Sequence, residues 1–230
     1  GEGMDKRIDL ERIAGIIESV SPDLVALQEV DVKTERSGGV DQASALARLT
    51  GMQAVFGRAI DFAGGEYGNA VLSALPIAAT EIHPLPFSPG HERRIVLEIQ
   101  VFVKTDTSER IPIRFLATHL DHTSDPTDRL AAVPIINRFA EEQPDIPSVL
   151  AGDLNAEPES DVLHRLLKLW SDPTGAGRCF TWPAEKPDRR IDYILYRPKS
   201  RWSVCEIRVL DETVASDHRP VFAVLGLKEK

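Results

Sequence analysis

Five short polar groups adjoin apolar runs of the sequence, as expected where a strand ends and a loop faces a ligand. Each group taken alone is typical of an ordinary turn or helix cap. Together, their carboxylates, amide and imidazoles indicate a shared site. The groups are 28–29 (Gln-Glu), 118–119 (Thr-His), 152–155 (Gly-Asp-Leu-Asn), Asp192 and 216–218 (Ser-Asp-His).

Oxygen-bearing side chains of this kind suit hard divalent cations, and Glu29, Asp153, Asn155 and Asp217 are suitable ligands. The sequence has no HExxH, GxSxG or glycine-rich phosphate loop, and its 2 cysteines are too few for a structural zinc site. The remaining interpretation is metal-assisted attack of water on phosphorus. That reaction needs a base for the water, a cation for the phosphate charge and an acid for the leaving oxygen.

Six motifs resemble the endonuclease/exonuclease/phosphatase superfamily and follow its order between residues 24 and 225. This superfamily includes pancreatic-type deoxyribonucleases, abasic-site endonucleases, neutral sphingomyelinases and inositol polyphosphate phosphatases. The resemblance implies a fold and a reaction class and leaves the substrate open. The motifs are LQEVD at 27–31, YGNAVLS at 67–73, THLDH at 118–122, GDLN at 152–155, RRIDYIL at 189–195 and SDHRPV at 216–221.

The resemblance implies a metal site for Mg²⁺ or Mn²⁺. Glu29 is its principal ligand, and Asp217 contacts the same ion directly or through a water molecule. Asp153 and Asn155 position the attacking water and the scissile phosphate, and both also count as metal ligands.

Two histidines complete the catalytic set that the resemblance implies. His218 contacts the phosphate or serves as the base, and Asp192 holds its imidazole in one tautomer. His119 occupies the place of a His or Tyr that donates to a phosphate oxygen or to the leaving group. The alternative for His119 is a hydrogen-bonded core histidine.

Further residues are expected to bind substrate around this set. Arg94 could clamp phosphate in a bidentate manner, with a surface salt bridge as an equal alternative. Tyr67 and Asn69 are expected to line the cleft, and His122 and Arg36 lie near candidate loops. The expected substrate loops are 32–40, 59–66, 84–91 and 174–186.

The sequence departs from the family pattern at its beginning. The family opens with a strand that ends in an Asn, in a pattern like YNIHHG, and residues 1–5 (GEGMD) correspond to the segment after it. We therefore expect one strand and one ligand to be absent and neighbouring strands to lack partners. Because Gly1 begins a polar stretch without an apolar leader, the compartment, cytoplasmic or exported, is left open.

Short strands alternate with a few helices, and no repeat or linker divides the chain, which predicts one domain over residues 1–230. The predicted fold is a four-layer α/β-sandwich of two packed, mixed, mostly antiparallel sheets with helices outside. Asp9 is the expected N-cap of a first helix that stops at 21–22, and other helices are predicted at 41–50, 126–141 and 161–169. Strands are predicted at 24–27, 52–56, 70–73, 78–83, 95–103, 111–118, 148–152, 191–196, 204–209 and 220–225.

The composition describes a globular chain that can bury a core. Of its 230 residues 42% are hydrophobic, and the formal net charge is −9. An acidic chain can bind nucleic acid only through a local basic patch or bridging metal ions. Apolar runs fall well short of the roughly 20 residues that a membrane helix needs. Cys179 and Cys205 are expected to be reduced and buried.

These observations predict a Mg²⁺- or Mn²⁺-dependent phosphoester hydrolase, expected to be a phosphodiesterase acting on a small phosphodiester, a lipid headgroup or a nucleic acid. Two alternatives stay open. A DNA endonuclease or exonuclease, including the abasic-site type, would need a contiguous strip of Lys and Arg. A catalytically impaired binding module of the same fold is disfavoured by the intact set of polar residues. The oligomeric state is unknown.

Overall fold

The computed structural model describes residues 2–104, 109–175, 177 and 179–228. Its helices are α1 (Leu10–Val20), α2 (Gln42–Thr50), α3 (Thr127–Glu142) and α4 (Asp161–Leu166). Its strands are β1 (Leu24–Val32), β2 (Gln53–Phe62), β3 (Gly65–Ser73), β4 (Ile77–Pro84), β5 (Ile95–Lys104), β6 (Arg110–His119), β7 (Ser148–Asp153), β8 (Asp192–Arg197), β9 (Trp202–Val209) and β10 (Val221–Leu227).

Local sequence signals fix the first two helices. The Asp9 carboxylate accepts a hydrogen bond from the Arg12 backbone N–H at 2.9 Å, so Asp9 caps α1 as predicted. Asp41 caps α2 in the same way, and Gly51 ends it with φ 69°. Both caps satisfy helix N–H groups that would otherwise lack partners.

The strands form one large sheet and two small ones. Strands β4 to β8 form a five-stranded sheet in sequence order, in which only β6 and β7 are parallel. The small sheets have the orders β1-β3-β2 and β10-β9. The predicted mixed, mostly antiparallel character is confirmed. Among the described strands, β1 pairs with β3 alone and β10 with β9 alone, and Val32 at the end of β1 also forms an isolated bridge to Asp41.

Four layers result, as predicted. Both small sheets face the five-stranded sheet, because Val71, Leu24 and Leu225 pack in one cluster with Leu97 and Ile113. Helices α1 and α2 cover the outer face of the β1-β3-β2 sheet, and α3 and α4 cover the outer face of the five-stranded sheet. Among the described residues, no helix combines the length and the apolar character needed to cross a membrane.

Two local expectations were wrong. The segment 59–66 is not a loop, since β2 and β3 run into it and meet at a tight turn, with φ 44° at Ala63 and 77° at Gly64. Positive φ at both central residues matches the twist of a two-residue hairpin. The cysteines are free, as expected, but Cys205 is exposed and Cys179 is half-buried.

Candidate active site

Strand register places three of the predicted polar residues in one row. His119 pairs with Asp153 across the parallel β6–β7 ladder, and Asp153 pairs with Asp192 across the antiparallel β7–β8 ladder. Strands β6 and β7 end at this row and β8 begins at it. The row therefore lies at one edge of the five-stranded sheet.

The segment before β10 brings His218 to this row. Its Nδ1 lies 2.8 Å from Asp192 Oδ2, and one ligand atom each of Asp153, Asp192 and His218 lie within 4.8 Å of one another. Burial disfavours the imidazolium, but the hydrogen bond and charge of Asp192 outweigh it. With a smaller contribution from Asp153, they raise the pKa of His218 to about 9. His218 is therefore protonated at neutral pH and donates its Nδ1–H to Asp192.

Asp153 is a buried carboxylate held by its neighbours. Its Oδ1 accepts the Asn155 backbone N–H at 2.7 Å, and its Oδ2 lies 3.2 Å from Asn155 Nδ2 and 3.4 Å from His119 Nε2. Burial, followed by the charge of Asp192, raises the pKa of Asp153. Asn155 adopts the left-handed region at φ 46° and donates from Nδ2 to the Leu120 carbonyl at 3.1 Å.

Arg94 was expected to clamp phosphate, and its guanidinium points instead at two histidines. It lies 3.0 Å from His119 Nδ1 and 3.1 Å from His122 Nδ1, and it also pairs with Glu92 at 3.0 Å. A guanidinium can only donate, so His119 Nδ1 accepts and its proton lies on Nε2. Burial, then the charge of Arg94, holds the pKa of His119 well below its ordinary value. Arg94 is thus placed to position a neutral His119.

Glu29 lies inside β1, although it was expected just after the end of a strand. The β1–β3 register shifts between Leu27 and Val30, and Glu29 has φ 57° at this bulge, after which β1 continues to Val32. Bulges turn a side chain out of the alternating pattern. The exposed Glu29 and Asp217 line one cavity of about 740 Å³ together with His119, Asp153, Asp192 and His218.

Tyr67 and Asn69, both expected to bind substrate, lie in β3. Tyr67 is buried, and burial together with the charges of Glu29 and Glu92 raises its pKa, so it stays a neutral hydroxyl near the site. Asn69 is 3% exposed and its Nδ2 lies 3.4 Å from the Ile95 carbonyl. The described geometry thus ties Asn69 into the sheets, whereas Tyr67 lies where it feels the charge of Glu29.

Arg36 and Trp182 lie at the rim. Arg36 donates twice to the buried Asp31, at 2.9 and 3.0 Å. The Trp182 Nε1–H lies 3.4 Å from Asp217 Oδ2, a contact that was not predicted from the sequence. Its position in the expected substrate loop 174–186 was the available signal. Residues 176 and 178 of that loop lie outside the described part of the chain.

The donor set fits a hard divalent cation. Glu29, Asp153 and Asp217 offer carboxylate oxygens and Asn155 an amide oxygen, which are the ligand types that Mg²⁺ and Mn²⁺ take. Burial and then the charge of Asp192 raise the pKa of Asp153, and a nearby cation would offset the repulsion between the two carboxylates.

Comparisons with known proteins agree with this geometry. A sequence model described as the Endonuclease/Exonuclease/phosphatase family matches residues 2–218. The uncharacterized protein YbhP of Escherichia coli K12 is 26% identical over 236 residues, covering 97% of this chain and 90% of its own. The structure of an endonuclease/exonuclease/phosphatase from Beutenbergia cavernae is 26% identical with a TM-score of 0.78, covering 98% of this chain and 68% of its own. The mannosyl-6-phosphatase Bt3783 of Bacteroides thetaiotaomicron is 18% identical with a TM-score of 0.76, covering 95% and 90%, and at that identity it shares the fold alone.

Proposed function

Because the chain belongs to the endonuclease/exonuclease/phosphatase family, whose members are metal-dependent phosphoesterases and nucleases, we propose that it is a Mg²⁺- or Mn²⁺-dependent phosphodiesterase. The observation that carries this proposal is the row of His119, Asp153 and Asp192 on adjacent strands, with His218 bonded to Asp192. Together these residues offer a base (Asp153), a positively charged imidazolium (His218) and a neutral hydrogen-bond donor (His119).

Asp153 is the base in this proposal. Its carboxylate lies 3.4 Å from His119 Nε2 and within 4.8 Å of ligand atoms of Asp192 and His218, so a water molecule bound beside this cluster can pass its proton to Asp153. Asn155 donates to both oxygens of Asp153, at 2.7 Å from the backbone N–H and at 3.2 Å from Nδ2. These two bonds fix the carboxylate plane and orient it toward the attacking water.

His218 binds the phosphate rather than acting as a base. Its pKa of about 9 keeps the imidazolium charged at neutral pH. With Nδ1–H given to Asp192, the other ring N–H is available to a phosphate oxygen. Asp192 therefore has an orienting role, since it sets the charge and the direction of His218 without touching the substrate.

His119 is a hydrogen-bond donor in this proposal. Its lowered pKa makes it a poor proton source, but its Nε2–H, which lies 3.4 Å from Asp153 Oδ2, can donate to a phosphate oxygen bound beside that carboxylate. Arg94 is the corresponding positioning residue.

A divalent cation would be held by Glu29 and Asp217, with Asp153 and Asn155 as further oxygen donors. When bound, it supplies positive charge that stabilises the phosphate oxygens as charge develops there.

The charge balance of the site supports a diester over a monoester. Three arginines near the site are already paired: Arg94 with Glu92, Arg36 with Asp31 and Arg219, which lines the cavity, with Asp211. A phosphodiester carries one negative charge and a phosphomonoester carries up to two. A site whose nearby arginines are neutralised in this way suits the singly charged group.

A substrate panel tests the proposal. The protein is assayed with Mg²⁺ or Mn²⁺ on bis(p-nitrophenyl) phosphate, p-nitrophenyl phosphate and a duplex oligonucleotide with one abasic site, with Asp153→Asn as the background control. We expect the highest kcat/KM on the diester. A higher value on the monoester or on the abasic duplex would contradict the proposal and favour a phosphatase or a nuclease.

A further inference from the structure

A second group of side chains with metal-ligand chemistry lies where three parts of the chain meet. His91 comes from the loop between β4 and β5, Asp121 from the segment after β6, and Asp128 from the first turn of α3. One ligand atom of each of these residues lies within 4.8 Å of the other two. The fold, rather than closeness in the sequence, therefore assembles this group.

The group borders a small cavity that is separate from the active-site cavity. Its volume is about 10 Å³, which is space for one water-sized sphere, and its walls include Glu92, Asp121 and Asp128 together with the apolar Leu120 and Ala132. Among the described residues, none lines both this cavity and the one of about 740 Å³. The small cavity can therefore hold one water molecule or one ion, and nothing larger.

The Asp121 carboxylate is the observation that points to a ligand. Asp121 is 3% exposed, and its Oδ2 accepts the Thr123 backbone N–H at 3.0 Å. No described donor reaches the buried Oδ1. Arg129 does not supply the missing bond, because its Nη1 donates to the carbonyls of Asp121 and Thr123 and lies 3.9 Å from Oδ2. A buried anionic oxygen without a donor destabilises the fold unless a cation or a water molecule lies beside it.

His91 and Asp128 complete a mixed set of nitrogen and oxygen ligands. His91 Nδ1 lies 2.7 Å from Asp128 Oδ2. Ser88 fixes the Asp128 carboxylate, since its hydroxyl donates to Oδ1 at 2.6 Å and its backbone N–H donates to Oδ2 at 3.0 Å. A neutral imidazole with its proton on Nε2 has a lone pair on Nδ1. His91 Nδ1 can then bind a cation together with the two carboxylates.

The charges around the cavity favour a cation over a water molecule. Three carboxylates and the guanidinium of Arg94 line it. That guanidinium lies 3.0 Å from Glu92, so its charge is paired there. Asp121 and Asp128 are then two buried like charges in one cluster. A divalent ion would offset the repulsion between them, whereas a water molecule would leave it in place.

We propose that His91, Asp121 and Asp128 bind a Zn²⁺ ion at a site distinct from that of the catalytic cation. One imidazole and two carboxylates suit Zn²⁺, which takes nitrogen and oxygen ligands and leaves its fourth position to water. Mg²⁺ prefers oxygen ligands throughout and keeps several waters. The ion joins the β4–β5 loop to α3. Because Arg94 lines the same cavity and contacts His119, the ion also supports the residue that positions His119.

Zn²⁺ binding, measured by equilibrium dialysis, tests the site without reference to catalysis. The background protein carries Asp153→Asn and His218→Ala, which remove two ligands from the catalytic cluster. His91→Ala removes the nitrogen ligand at a half-buried loop position, and Asp121→Asn removes a carboxylate while keeping its size. His164→Ala is the matched control, because His164 is exposed on α4 and lies outside the cluster. We expect the Kd for Zn²⁺ to rise by at least ~10-fold in His91→Ala and in Asp121→Asn, and to stay unchanged in His164→Ala.

The thermal midpoint distinguishes a site built into the fold from loose binding at the surface. At ~100 times its Kd, Zn²⁺ should raise the midpoint of the background protein and of its His164→Ala form by roughly 5–10 °C, with a clearly smaller rise in His91→Ala. Absence of Zn²⁺ binding in the background protein, or equal affinities in His91→Ala and His164→Ala, would overturn the proposal and assign the cavity to a water molecule. Tighter binding of Mg²⁺ than of Zn²⁺ would also overturn it.

Discussion

At the scale of single residues, the site depends on neighbours that set protonation. Burial and then the charge of Asp192 raise the pKa of Asp153, and the hydrogen bond and charge of Asp192 raise that of His218, which is a cation at neutral pH. Burial, then the charge of Arg94, lowers the pKa of His119, which stays neutral. Two imidazoles of the same ordinary chemistry, His119 and His218, thus acquire different charges from their surroundings.

Asp153→Asn removes the proposed base while keeping the size and most hydrogen-bonding atoms of the side chain. We expect kcat on the best substrate to fall by at least ~10²-fold, with an unchanged melting temperature. Asp145→Asn is the matched control, because Asp145 is exposed and lies outside the site. Near-normal kcat in Asp153→Asn would remove Asp153 from the reaction.

His218 should titrate late in the metal-free protein. Its pKa of about 9 lies above the ordinary 6.5, so its charge stabilises the fold fully below about pH 6.5 and this contribution is lost as pH rises through 9. NMR titration of the imidazole should therefore show a midpoint near 9 in the native protein and a clearly lower one in Asp192→Asn. Identical midpoints in the two proteins would disprove the pairing.

At the scale of elements, the β6–β7 ladder positions the base. Gly152 precedes Asp153 and has φ 148°, and a Cβ built on it would lie 1.9 Å from the Thr118 carbonyl oxygen. The two parallel strands can approach this closely only because residue 152 has no side chain. The ladder register that aligns His119 with Asp153 rests on this glycine.

Gly152→Ala should force β6 and β7 apart and displace Asp153. We expect a loss of roughly 1–3 kcal/mol in the free energy of unfolding, together with a fall in kcat. Gly15→Ala is the matched control, since a Cβ on Gly15 in α1 meets nothing within 4 Å; a helix interior should gain about 0.5–1 kcal/mol there. Denaturant unfolding measures the free energy of unfolding of both variants. Equal values for Gly152→Ala and Gly15→Ala would refute this explanation of the β6–β7 ladder.

The sequence predicted elements whose signals are local. Asp9, Asp41 and Gly51 act within a few residues of the helices that they cap, so their roles could be read directly. The bulge at Glu29 could not be predicted in this way, because the φ of 57° at Glu29 depends on pairing with a strand distant in the sequence. The hairpin turn at 63–64 was missed because Ala63 is not a typical turn residue.

In the candidate site, too, some features were predictable from the sequence and others depend on contacts between distant residues. The motif residues came from residue type and resemblance, but the structure was needed to show which of them touch. Arg94 illustrates this, because it was expected to bind phosphate and its guanidinium contacts two histidine rings instead. Trp182 was overlooked because its contact with Asp217 joins residues far apart in the chain.

At the scale of the whole molecule, net charge opposes binding to duplex DNA. The formal net charge is −9, and a DNA duplex carries one phosphate charge per about 1.7 Å of its axis. We expect only weak, Mg²⁺-dependent binding to plain duplex at physiological salt. A fluorescence-anisotropy titration measures it, and a sub-micromolar dissociation constant would contradict this expectation and support the nuclease alternative.

The most direct test of the central claim is the metal dependence of phosphodiester hydrolysis. Initial rates on bis(p-nitrophenyl) phosphate are measured with excess EDTA, after removal of the chelator, and after addition of Mg²⁺ or Mn²⁺, for the native protein and Glu29→Gln. We predict no hydrolysis in EDTA, recovery with either ion, and a much higher ion requirement in Glu29→Gln. Full activity of the native protein in excess chelator would contradict the claim.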